Sequence, residues 1–178
     1  LRRPGMALDL GAIAKGYAAD EAARILREHG VKAALVNLGG NVLTVGSKPD
    51  RTPWKIGVQN PEEPRGTHIG IVDVGETAVV TSGSYERFFE AGGRRYHHIL
   101  DTRTGAPADN GLTAVMIVTP RSTTADGWST LVFALGLEKG RALVEASGGE
   151  VEALFVTGDR SVHVTRGLRQ RFRLTDPR

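Results

Sequence analysis

The stretch HIGIVDVGETAVVTSGSYERFFEAGGRRYHHIL, residues 68–100, decides the fold class. Short apolar and β-branched segments alternate in it with glycines, at Gly75, Gly83 and Gly92-Gly93. Segments of this kind, separated by turn residues every few positions, predict consecutive strands. We therefore predict a meander of strands over residues 68–74, 78–82, 85–91 and 95–100.

Outward from this stretch, the same patterns predict more strands and three helices. The further strands are expected over 33–37, 42–45, 54–59, 113–119, 152–157 and 161–165. Helices are expected over 12–29, 124–135 and 138–147, each closed by a glycine. In the first helix the predicted apolar stripe comprises Ala14, Ala18, Ala22, Ile25 and Leu26, and the tail from Arg166 is polar.

The order of these elements predicts an α+β fold with a mostly antiparallel sheet packed with a few helices. Strands follow one another directly, whereas helices come singly or paired, which is unlike alternating βα units. The 178 residues suit one domain over residues 1–178.

Composition and charge exclude several classes of protein. With 40% hydrophobic and 24% charged residues the chain is typical of a globular protein, and without cysteine it has no disulfide framework or thiolate site. The net charge is +3, but the arginines are dispersed and no recognition module is present, so nucleic-acid binding is not expected. No apolar run approaches the roughly 20 residues of a membrane span.

The segment DLGAIAKGYAAD, residues 9–20, combines glycines with the start of the first helix. Backbone N–H groups at such a helix start suit an anion, and Lys15 adds positive charge. The segment is not a nucleotide-binding P-loop, because Gly16 stands where that loop needs Ser or Thr. A capping role for Asp9 and a solvated Lys15 are the structural alternatives.

The segment ADGWST, residues 125–130, places Asp126 and Thr130 four positions apart on one helix face. A carboxylate and a hydroxyl are hard oxygen donors that suit Mg²⁺. The alternative is that Asp126 only complements the helix dipole and that Thr130 faces the core.

Two further segments carry candidate residues. In NLGGN, residues 37–41, Gly39 and Gly40 permit close approach of a ligand, or simply form a tight hairpin turn. In YHHIL, residues 96–100, the adjacent His97 and His98 point to opposite faces of a strand, so only one of them faces a given site. A histidine there is either a general base or a partly buried structural residue.

In this order the segments resemble the bacterial flavin transferase family, the FAD:protein FMN transferases, formerly described as thiamine-biosynthesis lipoproteins. The likeness extends from about Met6 to Thr165. The segments that carry it are DLGAIAKGYAAD at 9–20, NLGGN at 37–41, TSGSYER at 81–87, YHHILDTRTGAP at 96–107 and ADGWST at 125–130.

The resemblance implies a Mg²⁺-dependent enzyme that splits the pyrophosphate of FAD, attaches FMN to a Thr or Ser hydroxyl of an acceptor flavoprotein and releases AMP. It implies that Asp126, Thr130 and the carbonyl of Ala12 are metal ligands. It also implies that His98 is the catalytic base. The positions expected at the flavin nucleotide are Asp9, Lys15, Gly39, Gly40 and Ile99.

Two alternatives remain at this point, a Mg²⁺-dependent FAD pyrophosphatase and a flavin-binding module without turnover. Family chains carry a longer N-terminal portion with export and lipidation signals, so we expect this chain to be a piece of a longer protein. The resemblance then implies the cell envelope as the compartment, with membrane association only through an upstream lipid anchor. One departure from the family pattern is Thr102, which stands where the family has proline and is expected to loosen a turn.

Overall fold

The computed structural model describes residues 1–175, and its elements follow the predicted α+β class. The helices are α1 (Ala14–Glu28), α2 (Ser122–Leu135) and α3 (Leu137–Glu145), with a 3-10 helix at Arg166–Leu168. The strands are β1 (Ala33–Leu38), β2 (Asn41–Gly46), β3 (Trp54–Gln59), β4 (His68–Val74), β5 (Ala78–Gly83), β6 (Phe88–Ala91), β7 (Arg94–His97), β8 (Leu112–Thr119), β9 (Glu152–Thr157), β10 (Val162–Val164) and β11 (Phe172–Leu174). The single-domain prediction for 1–178 includes residues 176–178, which lie outside the described part.

The strands form three antiparallel sheets rather than one meander. A six-stranded sheet has the order β1-β2-β5-β8-β9-β10, a three-stranded sheet has the order β11-β4-β3, and β6 pairs with β7 alone. The prediction that residues 68–74 and 78–82 are neighbours in one meander is therefore wrong. Strand β4 pairs with β3 and β11, whereas β5 crosses to the large sheet between β2 and β8.

Strand β8 shows why the sheets stack in layers. Val115 and Ile117 pack with the three helices on one face, whereas Met116 and Val118 pack against the three-stranded sheet on the other. Because both faces are covered, almost every residue of β8 is buried, which explains its continuous apolar sequence. The layers are thus helices, large sheet and small sheet.

Helix α1 buries a different face from the one predicted. The stripe Ala14, Ala18 and Ala22 was expected against the core, but Gly16, Ala19 and Ala23 are the buried residues. These three are also at helical spacing, and their small size permits close packing against α2. Apolar spacing alone does not distinguish two faces that are both rich in alanine.

Residues 166–175 of the polar tail also form regular structure, which was not predicted from the sequence. Leu168 is fully buried between the large sheet and the three-stranded sheet, and β11 pairs with β4. A three-residue strand is too short to show a period in the sequence. Within residues 1–175, the helices are all too short or too polar to cross a membrane.

Candidate active site

One cleft of about 570 Å³ collects eight of the nine predicted site residues. It lies where the start of α1, the middle of α2, the end of β5 and the segment after β7 meet. The predicted residues that line it are Asp9, Ala12, Lys15, Gly39, His98, Ile99, Asp126 and Thr130. Gly40 does not line it. A larger groove of about 990 Å³ lies between α3 and the 3-10 helix, and no predicted site residue lines that groove.

The approach to α1 is a tight turn that begins at Asp9. Its Oδ1 accepts a 2.6 Å hydrogen bond from the N–H of Gly11. A Cβ on Gly11 would lie 2.8 Å from the same oxygen, so a larger residue would displace the Asp9 carboxylate from this contact. Asp9 is therefore a turn residue at the rim of the cleft and not the N-cap of α1, which is Ile13.

Asp126 is the buried carboxylate of the site, with 2% of its surface exposed. Its Oδ2 accepts a 2.9 Å hydrogen bond from the N–H of Gly16, and its Oδ1 lies 3.5 Å from Nζ of Lys15. Burying a carboxylate is costly unless charge and hydrogen bonds compensate, and these two groups do so. The Lys15 side chain is about half exposed (47%), so it reaches the cleft from the solvent side.

The hydrogen bond to Asp126 changes what the start of α1 offers to a ligand. In a continuing helix the N–H of Gly16 would bond to the carbonyl of Ala12. Here that N–H is taken by Asp126, and within residues 1–175 the Ala12 carbonyl accepts no backbone hydrogen bond. The predicted anion site loses the Gly16 donor, but the cleft gains a free carbonyl oxygen beside a carboxylate.

Ala12, Asp126 and Thr130 therefore line one cleft. The spacing of Asp126 and Thr130 predicted that these two share a helix face, and the family resemblance alone implied Ala12. A carbonyl, a carboxylate and a hydroxyl are hard donors that fit Mg²⁺, which commonly keeps waters or substrate phosphates as its remaining ligands. Among the described residues, no three His, Cys, Asp or Glu side chains form a metal-binding cluster. A site here would depend on a single carboxylate and neutral oxygens.

The predicted strand over residues 95–100 ends at His97, so His98 lies just beyond β7. The two adjacent histidines nevertheless face different environments. His98 lines the cleft, and its Nδ1 lies 3.1 Å from the Arg87 carbonyl. A carbonyl only accepts, so this contact assigns the proton to Nδ1 and leaves Nε2 of the neutral ring as a proton acceptor. His98 thus has the tautomer that a general base needs.

His97 lies away from the cleft and packs edge-on against Phe133 of α2, with ring centroids 5.7 Å apart. Its Nδ1 accepts the N–H of Ile99 at 3.3 Å. Burial lowers the pKa of His97 below its ordinary value of 6.5, only partly opposed by a hydrogen bond to the backbone of Ala108. The structural interpretation therefore fits His97, and His98 is the histidine that lines the cleft.

The two glycines after β1 also divide their roles. Both have positive φ, +62° at Gly39 and +92° at Gly40, and they form the two-residue turn between β1 and β2. Gly39 lines the cleft. The carbonyl of Gly40 instead accepts a hydrogen bond from the N–H of Thr81, and its N–H donates to Oδ1 of Asn37. Ile99 lines the cleft although its side chain is buried in the main core.

The turn that carries Thr102 is closed by hydrogen bonds from its neighbours. The Asp101 carbonyl accepts from Gly105 at 2.8 Å, and Asp101 Oδ1 accepts from the N–H of Arg103 at 2.9 Å. The Arg103 guanidinium also bonds the carboxylate and holds the pKa of Asp101 at about 2. The turn thus has restraints that do not depend on proline at position 102.

Sequence reasoning missed several residues of the cleft. Arg65, from the loop between β3 and β4, pairs with Glu86, and both line the cleft. Nothing in the sequence around Arg65 signals this role. Thr81, Ser82 and Arg87 also line it, and they belong to the TSGSYER segment, which carries the family resemblance without a role of its own.

Comparison with known proteins places these observations in a family. The model of the ApbE family matches residues 1–155. The chain belongs to the ApbE family. The motifs had predicted this membership, and the α+β fold class agrees with the solved structures of the family.

Two relatives in this family are proteins named FAD:protein FMN transferase. The one from Klebsiella pneumoniae strain 342 is 46% identical over 172 residues, which cover 97% of this chain and 52% of the relative. The one from Treponema pallidum strain Nichols is 44% identical, covering 100% of this chain and 51% of the relative. The chain thus spans about half the length of the curated relatives it matches.

Two solved structures that are similar to this chain are also ApbE proteins. The ApbE protein of Thermotoga maritima superimposes with a TM-score of 0.85 at 37% identity, over 94% of this chain and 54% of that one. The flavinyl transferase ApbE of Pseudomonas stutzeri, in its apo form, has a TM-score of 0.76 at 37% identity, over 92% of this chain and 51% of that one.

Proposed function

We propose that this chain carries the catalytic cleft of a Mg²⁺-dependent FAD:protein FMN transferase. The observation that carries the proposal is the meeting of Ala12, His98 and Asp126 in one cleft, although they are far apart in sequence. The names of the ApbE-family relatives support FAD as the substrate and a protein as the acceptor.

The residues of the cleft suit the metal and the nucleotide. Asp126, Thr130 and the Ala12 carbonyl would hold Mg²⁺, which when bound neutralises charge on the pyrophosphate. Lys15 adds a cation to the same region, since it lies 3.5 Å from Asp126. Asp9 and Gly39, which line the same cleft, would contact the rest of the flavin nucleotide.

The proposed reaction transfers FMN from FAD to a hydroxyl of the acceptor protein. The acceptor hydroxyl oxygen forms a bond to the FMN-side phosphorus, the bond from that phosphorus to the bridging oxygen breaks, and AMP leaves with the bridging oxygen. Nε2 of His98 takes the proton of the acceptor hydroxyl. Its Nδ1 proton is held by the Arg87 carbonyl, which keeps Nε2 available.

The same residues would also let water attack in place of the acceptor, giving FMN and AMP. The acceptor is a flavoprotein with a Thr or Ser flavinylation site, and the compartment we propose is the cell envelope. The compartment rests on family resemblance alone, and fractionation of cells that produce the natural protein would test it.

The decisive experiment measures AMP released from FAD by the full chain, with and without Mg²⁺, in the presence of a candidate acceptor protein. Mg²⁺-dependent AMP together with flavin fluorescence on the denatured acceptor supports the transferase. Mg²⁺-dependent AMP without labelling supports hydrolysis only. Flavin binding without AMP under all conditions would overturn a catalytic role for this chain.

A further inference from the structure

Helices α1 and α2 cap each other's N-termini through two aspartates. Asp126 of α2 accepts the N–H of Gly16 in the first turn of α1. In return, Asp20 of α1 accepts the N–H groups of Ser122 and Thr123, each at 2.9 Å, in the first turn of α2. Asp20 stands four positions after Gly16 in α1, and Asp126 stands four positions after Ser122 in α2, which makes the arrangement reciprocal.

The contact between the two first turns is as close as backbone allows. A Cβ on Gly16 would lie 2.4 Å from the Ser122 carbonyl oxygen and 2.7 Å from the Thr123 Cα. Asp20 adds a third hydrogen bond, from the Thr123 hydroxyl at 2.6 Å. Ser122 is also held from the large sheet, because its hydroxyl lies 2.6 Å from Oδ1 of the buried Asn41. The first turn of α2 is thus restrained on two sides.

Asp20 does not itself line the cleft. Its hydrogen bonds fix Ser122 and Thr123, which lie one helical turn before Asp126, and an α-helix transmits that restraint along its axis. Where the Asp126 carboxylate sits between Gly16 and Lys15 therefore depends on Asp20.

We infer that Asp20 is a positioning residue that fixes the Asp126 carboxylate for divalent-cation binding, through its hydrogen bonds to the first turn of α2. This inference rests on the proposed function. Partners of metal ligands usually change metal affinity by about 10- to 100-fold when they are removed. Asp20 does not contact Asp126 directly but acts through Ser122 and Thr123. We therefore expect its removal to change metal affinity by the lower end of that range.

The test measures Mn²⁺ binding to the full chain without FAD, and electron paramagnetic resonance detects the bound ion. Mn²⁺ is used because it favours the same oxygen donors as Mg²⁺. Asp20→Asn keeps the size and one acceptor oxygen of the side chain but loses the second acceptor. We expect it to weaken Mn²⁺ affinity by about 10-fold. Unfolding followed in EDTA reports the stability of each variant separately from the metal.

The matched control is Asn110→Ala, which removes a cap from the other end of α2. Asn110 Nδ2 donates to the Phe133 carbonyl at 2.7 Å, remote from the cleft. We expect this variant to lose stability and to keep wild-type Mn²⁺ affinity. Equal weakening in both variants, or wild-type affinity in Asp20→Asn, would overturn the inference.

A milder variant covers the case in which Asp20→Asn does not fold. Thr123→Ala removes only the hydroxyl bond to Asp20 and keeps both backbone bonds. Weaker Mn²⁺ binding in this variant supports the inference, and unchanged binding contradicts it. If the wild-type chain itself binds no Mn²⁺, the metal site of the proposed function fails, and the inference fails with it.

Discussion

The backbone N–H of Gly16 donates a 2.9 Å hydrogen bond to Oδ2 of Asp126, although 110 positions separate the two residues. This one bond joins the first turn of α1 to the second turn of α2, compensates a buried carboxylate and leaves the Ala12 carbonyl without a backbone donor within residues 1–175. It requires the backbones of α1 and α2 to touch, and only a residue without a Cβ permits that contact.

Gly16→Ala is therefore expected to destabilise the chain and to disturb the site. The added Cβ meets backbone atoms of Ser122 that cannot yield without moving α2. We expect a loss of about 1–3 kcal/mol in the free energy of unfolding, measured with urea, and weaker Mn²⁺ binding.

Gly127→Ala in α2 is the matched control for that substitution. A Cβ there meets only the Ile13 side chain, at an ordinary 3.5 Å. Alanine favours a helix over glycine by up to about 1 kcal/mol, so this variant should be at least as stable as wild type. A stable Gly16→Ala variant with normal metal binding would contradict the close-contact argument.

Asp126→Asn is expected to abolish Mg²⁺-dependent turnover while preserving the fold. The amide oxygen still accepts the N–H of Gly16, but the negative charge that faces Lys15 is lost. We expect AMP release from FAD to fall by at least about 100-fold, with an unchanged circular dichroism spectrum. Asp73→Asn, at the exposed pair with Lys55, is the control and should retain activity. Normal AMP release by Asp126→Asn would refute the metal assignment.

His98→Gln is expected to lower transfer far more than flavin binding. Removal of a general base costs about 10²- to 10⁴-fold in rate, whereas the nucleotide contacts of the cleft remain. AMP release and FAD titration on the same preparation measure the two effects. His97→Gln is the matched control, because His97 packs against Phe133 away from the cleft. Equal losses of binding and turnover in His98→Gln would show that His98 is structural.

His97 is expected to make stability fall in mild acid. Burial lowers the pKa of His97 in the folded chain below its ordinary 6.5, so the unfolded chain binds the proton more readily. The contribution is present above pH 6.5 and is lost as pH falls through that value towards the folded pKa. Melting temperatures at about pH 7.5 and about pH 5.5 should differ less in His97→Gln than in wild type.

The control for this pH effect is His68→Gln, because His68 is an exposed histidine on β4. That variant should retain the part of the pH dependence that belongs to His97. If His97→Gln shows the same acid-induced drop in melting temperature as wild type, burial of the ring does not control its protonation.

The family and the fold class could be predicted from the sequence because their signals are local. Apolar periods and glycines mark most strands and helices within a few residues, and spacing puts Asp126 and Thr130 on one helix face. The order of five motifs gave the same family that the comparison found. Strand alternation predicted that His97 and His98 face different ways, but His98 lies beyond the end of β7, so its place in the cleft depends on the tertiary structure.

Tertiary structure alone decided which of these residues act together. The assignment of β4 and β5 to different sheets, the burial of Gly16 instead of Ala14, and the pairing of Arg65 with Glu86 all depend on long-range contacts. The spacing of apolar residues predicts a single helix or strand. It does not show which other helix or strand packs against it. The reciprocal caps of α1 and α2 form only when the two helices meet, and so the free Ala12 carbonyl and the buried Asp126 carboxylate are properties of the folded chain.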